Sequence, residues 1–535
     1  MKTMISSIIL ASCLALPLAS CSDSDVAPEQ KDWSTTTYFY SADAAMQDTY
    51  YKPTVGYVGD PMPFFDPVAG DFKVLYLQDF RPNPEGTYHP IWGVSTKDAA
   101  HYTSLGELVS CGTKKSQDAA IGTGSTIYDE ASKLYYTFYT GNKYLPTGDE
   151  SAQAVMVATS PDFKTWTKDR TFLLKGQDFG YDKNDFRDPF VFKGDDGKFH
   201  MLVSTKKSGK GSLAEFVSDD LKNWTDNGVF MTMMWDRFYE CPDIFKMGDY
   251  WYLVYSEIHH AVRRVQYFKG RTLDELKACT ANDAGIWPDA HEGFLDSRGL
   301  YAGKTASDGT NRYLWGWCPT RSGKDNTAVG ASPAEPEWGG NLVCYKLIQH
   351  EDGTLTLGQV DAVSEKYNQD VAVEVKESQN MTEADGTYTL AGNVEQPDAY
   401  MLMGRLGNHN KISFTVTTSN EWDKFGISMV RGSDSKKYYT MVVNPESENN
   451  RKVNFEEQGV EGKGFIAGID GYVFARPADN VYNITIYTDN SICVMYINDV
   501  CSYTNRIYGI QKNCWSINSY NGANVKISNL KISQY

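Results

Sequence analysis

Val94-Ser95-Thr96-Lys97-Asp98, Ala158-Thr159-Ser160-Pro161-Asp162 and Val217-Ser218-Asp219-Asp220 are three versions of one phrase. Each runs on to an aromatic residue and a threonine: Tyr102-Thr103, Trp166-Thr167 and Trp224-Thr225. The aromatic members recur after 64 and then 58 residues. Each copy follows a short apolar, strand-like run and precedes another, as in "SLGELV", "TFLLKG" and "NGVFMT". Recurrence on this scale marks units that each form a small sheet and bury their faces against one another. It predicts the blades of a β-propeller with some long loops.

The surrounding chain agrees. Runs such as "FKVLYLQDF", "KLYYTFYTG", "KFHMLVSTK" and "YWYLVYSEI" are short, aromatic and β-branched, with Gly, Asp and Asn between them. "RTLDELKAC" is at most one short helix. After Gly358 the chain passes through "VDAVSEKYNQD" into strands such as "KISFTVTTS", "KFGISMVRG" and "NVYNITIYTD", with period-two alternation. That pattern fits an antiparallel sandwich. The fold class is therefore all-β, with a propeller over residues 51–368 and a β-sandwich over 369–535.

Composition narrows the function. The 535 residues carry a net charge of -17, which repels phosphate backbones, so nucleic acid is not an expected partner. Aromatics make up 13%, which suits both sheet packing and sugar-facing surfaces. Lys2 precedes an apolar run from Met4 to Ala19, too short to span a membrane and suited to a secretory signal. Leu18-Ala19-Ser20-Cys21 resembles the lipobox of bacterial lipoproteins. Residues 1–20 then read as a signal peptide, Cys21 as a lipid anchor, and residues 21–50 as a tether and N-terminal extension. The implied location is an exported lipoprotein of the outer membrane, on its periplasmic or cell-surface side; cleavage by ordinary signal peptidase is the alternative. Beyond Cys13 and Cys21, eight cysteines lie far apart with no CxxC pair, which argues against a zinc site and for small buried side chains.

Three segments carry the chemistry. Gly59-Asp60-Pro61, Arg187-Asp188-Pro189 and Glu240-Cys241-Pro242 each place a carboxylate one or two residues ahead of a proline and before an apolar strand. Alone, each is ordinary turn chemistry. In a propeller, however, the innermost strands line one channel, and their equivalent starts face the same end. Asp60, Asp188 and Glu240 would converge there, although they are 128 and 52 residues apart. Converging acids repel and raise one another's pKa, so such a cluster needs a functional reason. Glycoside hydrolysis supplies one, because it needs one carboxylate as nucleophile or base and another as proton donor.

These segments, in this order, resemble glycoside hydrolase family 32, the invertase, inulinase and levanase group. Leu77-Gln78, Thr123-Gly124-Ser125, Leu300-Tyr301-Ala302, Leu314-Trp315-Gly316-Trp317, Trp338-Gly339-Gly340 and "YINDVCSYTNRIY" extend the likeness across both domains. The resemblance implies a five-bladed β-propeller followed by a C-terminal β-sandwich, and retaining cleavage of β-fructofuranosidic bonds in fructans or sucrose-like oligosaccharides. It implies Asp60 as nucleophile, Glu240 as acid/base, and Asp188 with Arg187 as stabilisers of the fructosyl unit. It calls for neither a metal nor an organic cofactor. Gln78, Thr123 and Trp92 are candidate substrate contacts; Asp243, Cys241 and Trp317 read as structural. The sequence departs from the family pattern at Gly59 and Met62, where that pattern has asparagines, and this leaves the identity of the sugar open. Two other readings stand beside it: a glycosidase resembling the arabinan- and xylan-cleaving family 43 propellers, and a non-catalytic glycan-binding protein on the same scaffold.

Overall fold

The computed structural model describes residues 49–80, 89–233, 238–257, 264–279, 293–297, 299–321, 336–431, 438–445, 452–458, 472–473 and 476–535. The signal peptide, the Cys21 anchor and most of the tether lie outside the described residues.

The repeated phrase is one turn built three times. The Thr96, Ser160 and Ser218 hydroxyls donate to the carboxylates of Asp98, Asp162 and Asp220 at 3.2, 3.1 and 3.1 Å. The same carboxylates accept the backbone N–H groups of His101, Thr165 and Asn223, each at 2.8 Å. The residue after each Asp is left-handed, with φ 59° at Ala99, 59° at Phe163 and 62° at Leu221. Side-chain bonds of this kind stabilise a backbone kink that a non-glycine residue otherwise avoids. In two copies the aromatic member closes the turn, as Tyr102 Oη and Trp224 Nε1 donate to the Ala99 and Leu221 carbonyls.

Each turn joins the third and fourth strands of a blade. Blade I comprises β1 (Tyr57–Asp66), β2 (Asp71–Asp79), β3 (Ile91–Thr96) and β4 (Thr103–Val109). Blade II comprises β5 (Ala120–Asp129), β6 (Leu134–Asn142), β7 (Gln153–Ser160) and β8 (Thr167–Leu174). Blade III comprises β9 (Phe186–Lys193), β10 (Phe199–Lys207), β11 (Lys210–Ser218) and β12 (Thr225–Thr232). Blade IV shows three strands among the described residues: β13 (Glu240–Met247), β14 (Tyr250–Glu257) and β15 (Arg264–Gly270). Blade V comprises β16 (Tyr301–Ser307), β17 (Arg312–Arg321), β18 (Pro336–Gln349) and β19 (Leu355–Gly358). The innermost strands β1, β5, β9, β13 and β16 pack one against the next and back to β1, which closes the ring. After β15 the chain enters the short helix α1 (Leu273–Cys279) instead of the repeated turn, so the phrase does not recur in blade IV.

All five innermost strands share one irregularity. Pairing with the second strand slips between Gly59 and Met62, Gly122 and Gly124, Arg187 and Phe190, Glu240 and Asp243, and Tyr301 and Lys304. A bulge inserts residues on one strand only and re-aims their side chains. Two tiers result at the mouth of the channel. Gly59, Gly122, Arg187, Glu240 and Tyr301 form the upper tier, and Asp60, Thr123, Asp188, Cys241 and Ala302 the tier beneath it.

The C-terminal sandwich stacks two antiparallel sheets over one apolar cluster that includes Phe414, Ile427, Met441, Ile484, Met495 and Trp515. It is joined to the propeller by buried polar contacts. Thr504 donates its N–H and hydroxyl to Asp296 at 2.8 Å each. Thr49 and Tyr50, the last residues of the N-terminal extension, donate backbone N–H groups to Asp489 at 3.0 and 2.8 Å. The buried Arg506 guanidinium donates to the carbonyls of Pro319 and Cys318 at 3.0 and 2.8 Å and to Asn341 Oδ1 at 2.7 Å, all on blade V. Removing it strands three buried acceptors, a loss of about 3 kcal/mol. Arg506→Met is expected to lower the unfolding midpoint by several degrees and to separate propeller and sandwich transitions in calorimetry. A wild-type thermogram would contradict this account of the interface.

Candidate active site

The bulges bring the three sequence-identified acids into one buried network. Asp60 ends the first stretch of β1 and accepts from Thr123 Oγ1 at 2.7 Å and from Trp317 Nε1 at 2.9 Å. Burial raises its pKa; these two donors partly offset that, and the Glu240 charge adds to it. The donors matter because they favour the ionised form in a place where burial disfavours it.

Asp188 stands at φ 58° in the bulge of β9. Its backbone N–H donates to Thr140 Oγ1 at 2.8 Å, and its carboxylate accepts the Cys241 N–H at 2.9 Å. Burial pushes its pKa up to about 6; Arg187 and the Cys241 N–H oppose the shift, while Glu240 and Asp60 add to it. Glu240 opens β13 with both oxygens engaged. Arg187 Nη2 donates to Oε1 at 2.9 Å, and the Tyr301 hydroxyl makes a short hydrogen bond to Oε2.

Arg187 is the cation among these acids. It also donates to Asp185 Oδ1 at 2.8 Å, and its guanidinium lies over the Phe238 ring at 3.9 Å. Burial works against its charge, but Asp188 and Glu240 outweigh burial and raise its pKa. Residues on all five blades thus fix the geometry, and the Tyr301 and Trp317 rings, 5.5 Å apart, link the donor on Glu240 to the donor on Asp60.

The remaining candidates divide. Thr123 is in the network through Asp60. Gln78 is fully buried on β2, opposite Val58, with its amide donating to the Val55 carbonyl and its Oε1 without a hydrogen-bond partner among the described residues. Trp92 packs on Phe80 at 5.9 Å in a small cluster with Val55, and its described contacts do not reach the acids. Cys241 is buried, with its thiol pKa raised by burial and by Asp60 and Asp188, and its Sγ lies 3.9 Å from Thr123 Oγ1. Asp243 accepts the Thr305 N–H and hydroxyl at 2.6 Å each, tying blade IV to blade V. Among the described residues there is no cluster of metal-ligating side chains.

Two residues were underrated by sequence reasoning. Trp317, read as core packing, holds the Asp60 carboxylate, and Tyr301 holds Glu240. The signal for Tyr301 was its place at the mouth of the fifth innermost strand, equivalent to Glu240 in the fourth. Trp317 had no such signal, because it lies on a second strand and reaches the site across the bulge.

Two family models cover the chain. Residues 50–361 match the glycosyl hydrolases family 32 N-terminal domain, and residues 353–532 match the GH32, BT1760-like, C-terminal domain. The chain belongs to glycosyl hydrolase family 32. Among curated relatives of this family 32 chain, the insoluble β-fructofuranosidase isoenzyme CWINV2 of Arabidopsis thaliana is 27% identical over 310 residues, covering 52% of the chain and 50% of the relative. The sucrose-6-phosphate hydrolase of Vibrio alginolyticus is 26% identical over 240 residues, covering 42% and 45%. The chain thus spans about half the length of the curated relatives it matches. Its fold is shared with an exo-inulinase from Aspergillus awamori, at TM-score 0.69 and 14% identity over 93% of this chain and 99% of that one. Fructan 1-exohydrolase IIa from Cichorium intybus gives TM-score 0.69 and 16% identity over 91% and 97%. Five blades and a sandwich are the architecture expected of the family.

The electrostatics have a measurable consequence. With its folded pKa near 6 and a reference value of 3.8, Asp188 holds more protons in the folded than in the unfolded chain between those limits. Its protonation therefore supports stability fully below about pH 4, and that support is lost as pH rises through about 6. Asp188→Asn removes the buried charge, keeps an acceptor for the Cys241 N–H and tolerates the left-handed backbone. It is expected to raise the melting temperature by a few degrees at pH 7.5 and to leave it near wild type at pH 4. A gain independent of pH would contradict this assignment.

Proposed function

We propose that the protein is a retaining glycoside hydrolase that cleaves β-fructofuranosidic bonds in fructans of the levan or inulin type or in sucrose-like oligosaccharides. The observation that carries the reading is the pairing of Asp60 and Glu240 on separate blades, with different donors on each. Asp60 is held by two neutral donors, Thr123 and Trp317, which stabilise a carboxylate without cancelling its charge. That is the environment a nucleophile needs. Glu240 is held by Arg187 and Tyr301, which aim both of its oxygens.

In this mechanism Asp60 attacks the anomeric carbon, and Glu240 protonates the departing oxygen. Glu240 then takes a proton from water as the covalent glycosyl-enzyme is hydrolysed. Asp188, beneath the same mouth and paired with Arg187, accepts hydrogen bonds from glycone hydroxyls and supports the positive charge that develops on the ring. Two inversions at one carbon return the starting configuration, whereas an inverting enzyme of the family 43 type gives the opposite anomer. The names of relatives, β-fructofuranosidase and sucrose-6-phosphate hydrolase, support the fructosyl glycone.

Incubation with levan, inulin, sucrose and a panel of pentose polymers tests the reading. Fructose or short fructans are expected as products, formed with retention when followed by NMR at early times. Asp60→Asn and Glu240→Gln are each expected to lower kcat by about a thousandfold or more while leaving the fold intact. Cleavage of pentose polymers alone, or binding of glycans with no hydrolysis by the wild type, would sink the proposal.

A further inference from the structure

Gly122 stands in the upper tier on blade II, between Gly59 of blade I and Arg187 of blade III. It has no side chain to offer the mouth, and its place is taken from the neighbouring strand. Gly122 pairs with Thr140 on β6, and Thr140 and Asn142, two residues apart, project from one face of that strand. A Cβ built on Gly122 would stand 3.0 Å from Thr140 Cβ and 3.1 Å from Asn142 Nδ2. Thr140 serves the lower tier, where its hydroxyl accepts the Asp188 N–H. Asn142 stands one step nearer the entrance, with its amide nitrogen at the edge of the space that a side chain at 122 would fill.

The polarity of that amide is dictated by the backbone of blade III. The Phe186 N–H can only donate, and it donates to Gln153 Oε1 at 3.1 Å. Arg187 Nη1, a second donor, lies 3.5 Å from the same oxygen. Gln153 therefore turns its Nε2 the other way, where it donates to Asn142 Oδ1 at 3.0 Å. This in turn directs Asn142 Nδ2 toward Gly122. The two ends of a carboxamide have nearly the same shape, so the chain from Phe186 through Gln153 decides which end of Asn142 faces the mouth.

The Asn142 amide nitrogen makes no hydrogen bond among the described residues, and the side chain is half-buried. It is an aimed donor, carried at the end of a strand and without a protein acceptor. Such a group suits a ligand hydroxyl, which brings its own lone pairs.

We infer that Asn142 is a specificity-determining residue on the leaving-group side of the site, where its carboxamide donates to a hydroxyl of the sugar unit that departs. The inference rests on the proposed mechanism. Asp60 attacks from the lower tier and Glu240 protonates the departing oxygen from the upper tier, so the unit released lies against the upper tier. Asn142 meets it from blade II, across the mouth from Glu240 of blade IV and Tyr301 of blade V.

Steady-state kinetics on two substrates that share a glycone and differ in leaving group decide the point. One is the oligosaccharide of the panel that the wild type cleaves best, and the other is the methyl glycoside of the same glycone. Asn142→Ala is expected to lower kcat/KM for the oligosaccharide about tenfold and to leave the methyl glycoside within about twofold of wild type. Asn142→Asp is the isosteric counterpart, because it keeps an acceptor for Gln153 and removes the donor. The same contrast between the two substrates is expected of it. Melting temperatures confirm that both variants are folded. An equal loss on both substrates would put the contact on the glycone and overturn the inference, as would an unchanged kcat/KM for the oligosaccharide in the folded variants. The contrast is defined for any glycone. Cleavage of pentose polymers alone would therefore refute the fructosyl reading, while the same comparison on a pentoside pair would still decide the role of Asn142.

Discussion

A relay of hydrogen bonds runs through the mouth of the propeller from blade to blade, and the site exists because of it. Thr123 of blade II donates its hydroxyl to Asp60 of blade I. The Thr123 carbonyl accepts from Thr140 Oγ1 at 2.9 Å, and Thr140 in turn accepts the Asp188 N–H of blade III. The Asp188 carboxylate then accepts the Cys241 N–H of blade IV. The bulges at Asp188 and Cys241, with φ 58° and 51°, are thus each held by a group from the preceding blade. Left-handed backbone at such residues costs about 1 kcal/mol or more, so it persists only where neighbours over-determine it. The relay supplies that determination, and it couples the aim of Asp60 and Asp188 to the seating of blade II and the Cys241 bulge beside Glu240 to that of blade III.

The relay also bears on charge. Three carboxylates meet at the mouth, with Arg187 as the cation that contacts Glu240 and Asp188. Lys304, buried on β16, donates to the Gly124 carbonyl at 2.7 Å beneath them and adds a second positive charge to the channel. Burial raises the pKa of Asp60 and Asp188, but their surroundings differ. Asp60 has two neutral side-chain donors; Asp188 has a backbone N–H and a nearby guanidinium. Similar carboxylates in different donor environments can take different roles, as the proposed mechanism requires of these three acids.

Much of this was legible in the primary structure because propeller geometry repeats. The phrase ending in Asp98, Asp162 and Asp220 marked three blades, since the turn needs a hydroxyl, a carboxylate two residues on and an aromatic lock, all local in sequence. The acids were legible because each sits at the mouth of an innermost strand, Asp60 and Asp188 at one register and Glu240 one position earlier. Blade IV was harder to read, because α1 follows β15 and breaks the repeat. Trp317 and Trp338 could not be assigned roles, because their contacts with β1 arise from the approach of blade V to blade I, where 279 residues separate Trp338 from Gly59. Nothing local distinguishes such a tryptophan from one that only fills a core, as Trp315 does.

The two tiers of the mouth differ in how their side chains are held. The lower tier holds Asp60, Thr123 and Asp188, all inside the relay, where a change in one group disturbs the others. The upper tier is uneven. Arg187, Glu240 and Tyr301 crowd one side, while Gly59 and Gly122 leave the other open. Trp338 enters that opening from outside the ring of innermost strands, on a strand that takes no part in the relay. Met62, buried below, keeps its own place by packing in the blade core and accepting the Gly124 N–H at 3.1 Å. The two departures from the family pattern, Gly59 and Met62, thus flank Asp60 and leave all three carboxylates in place.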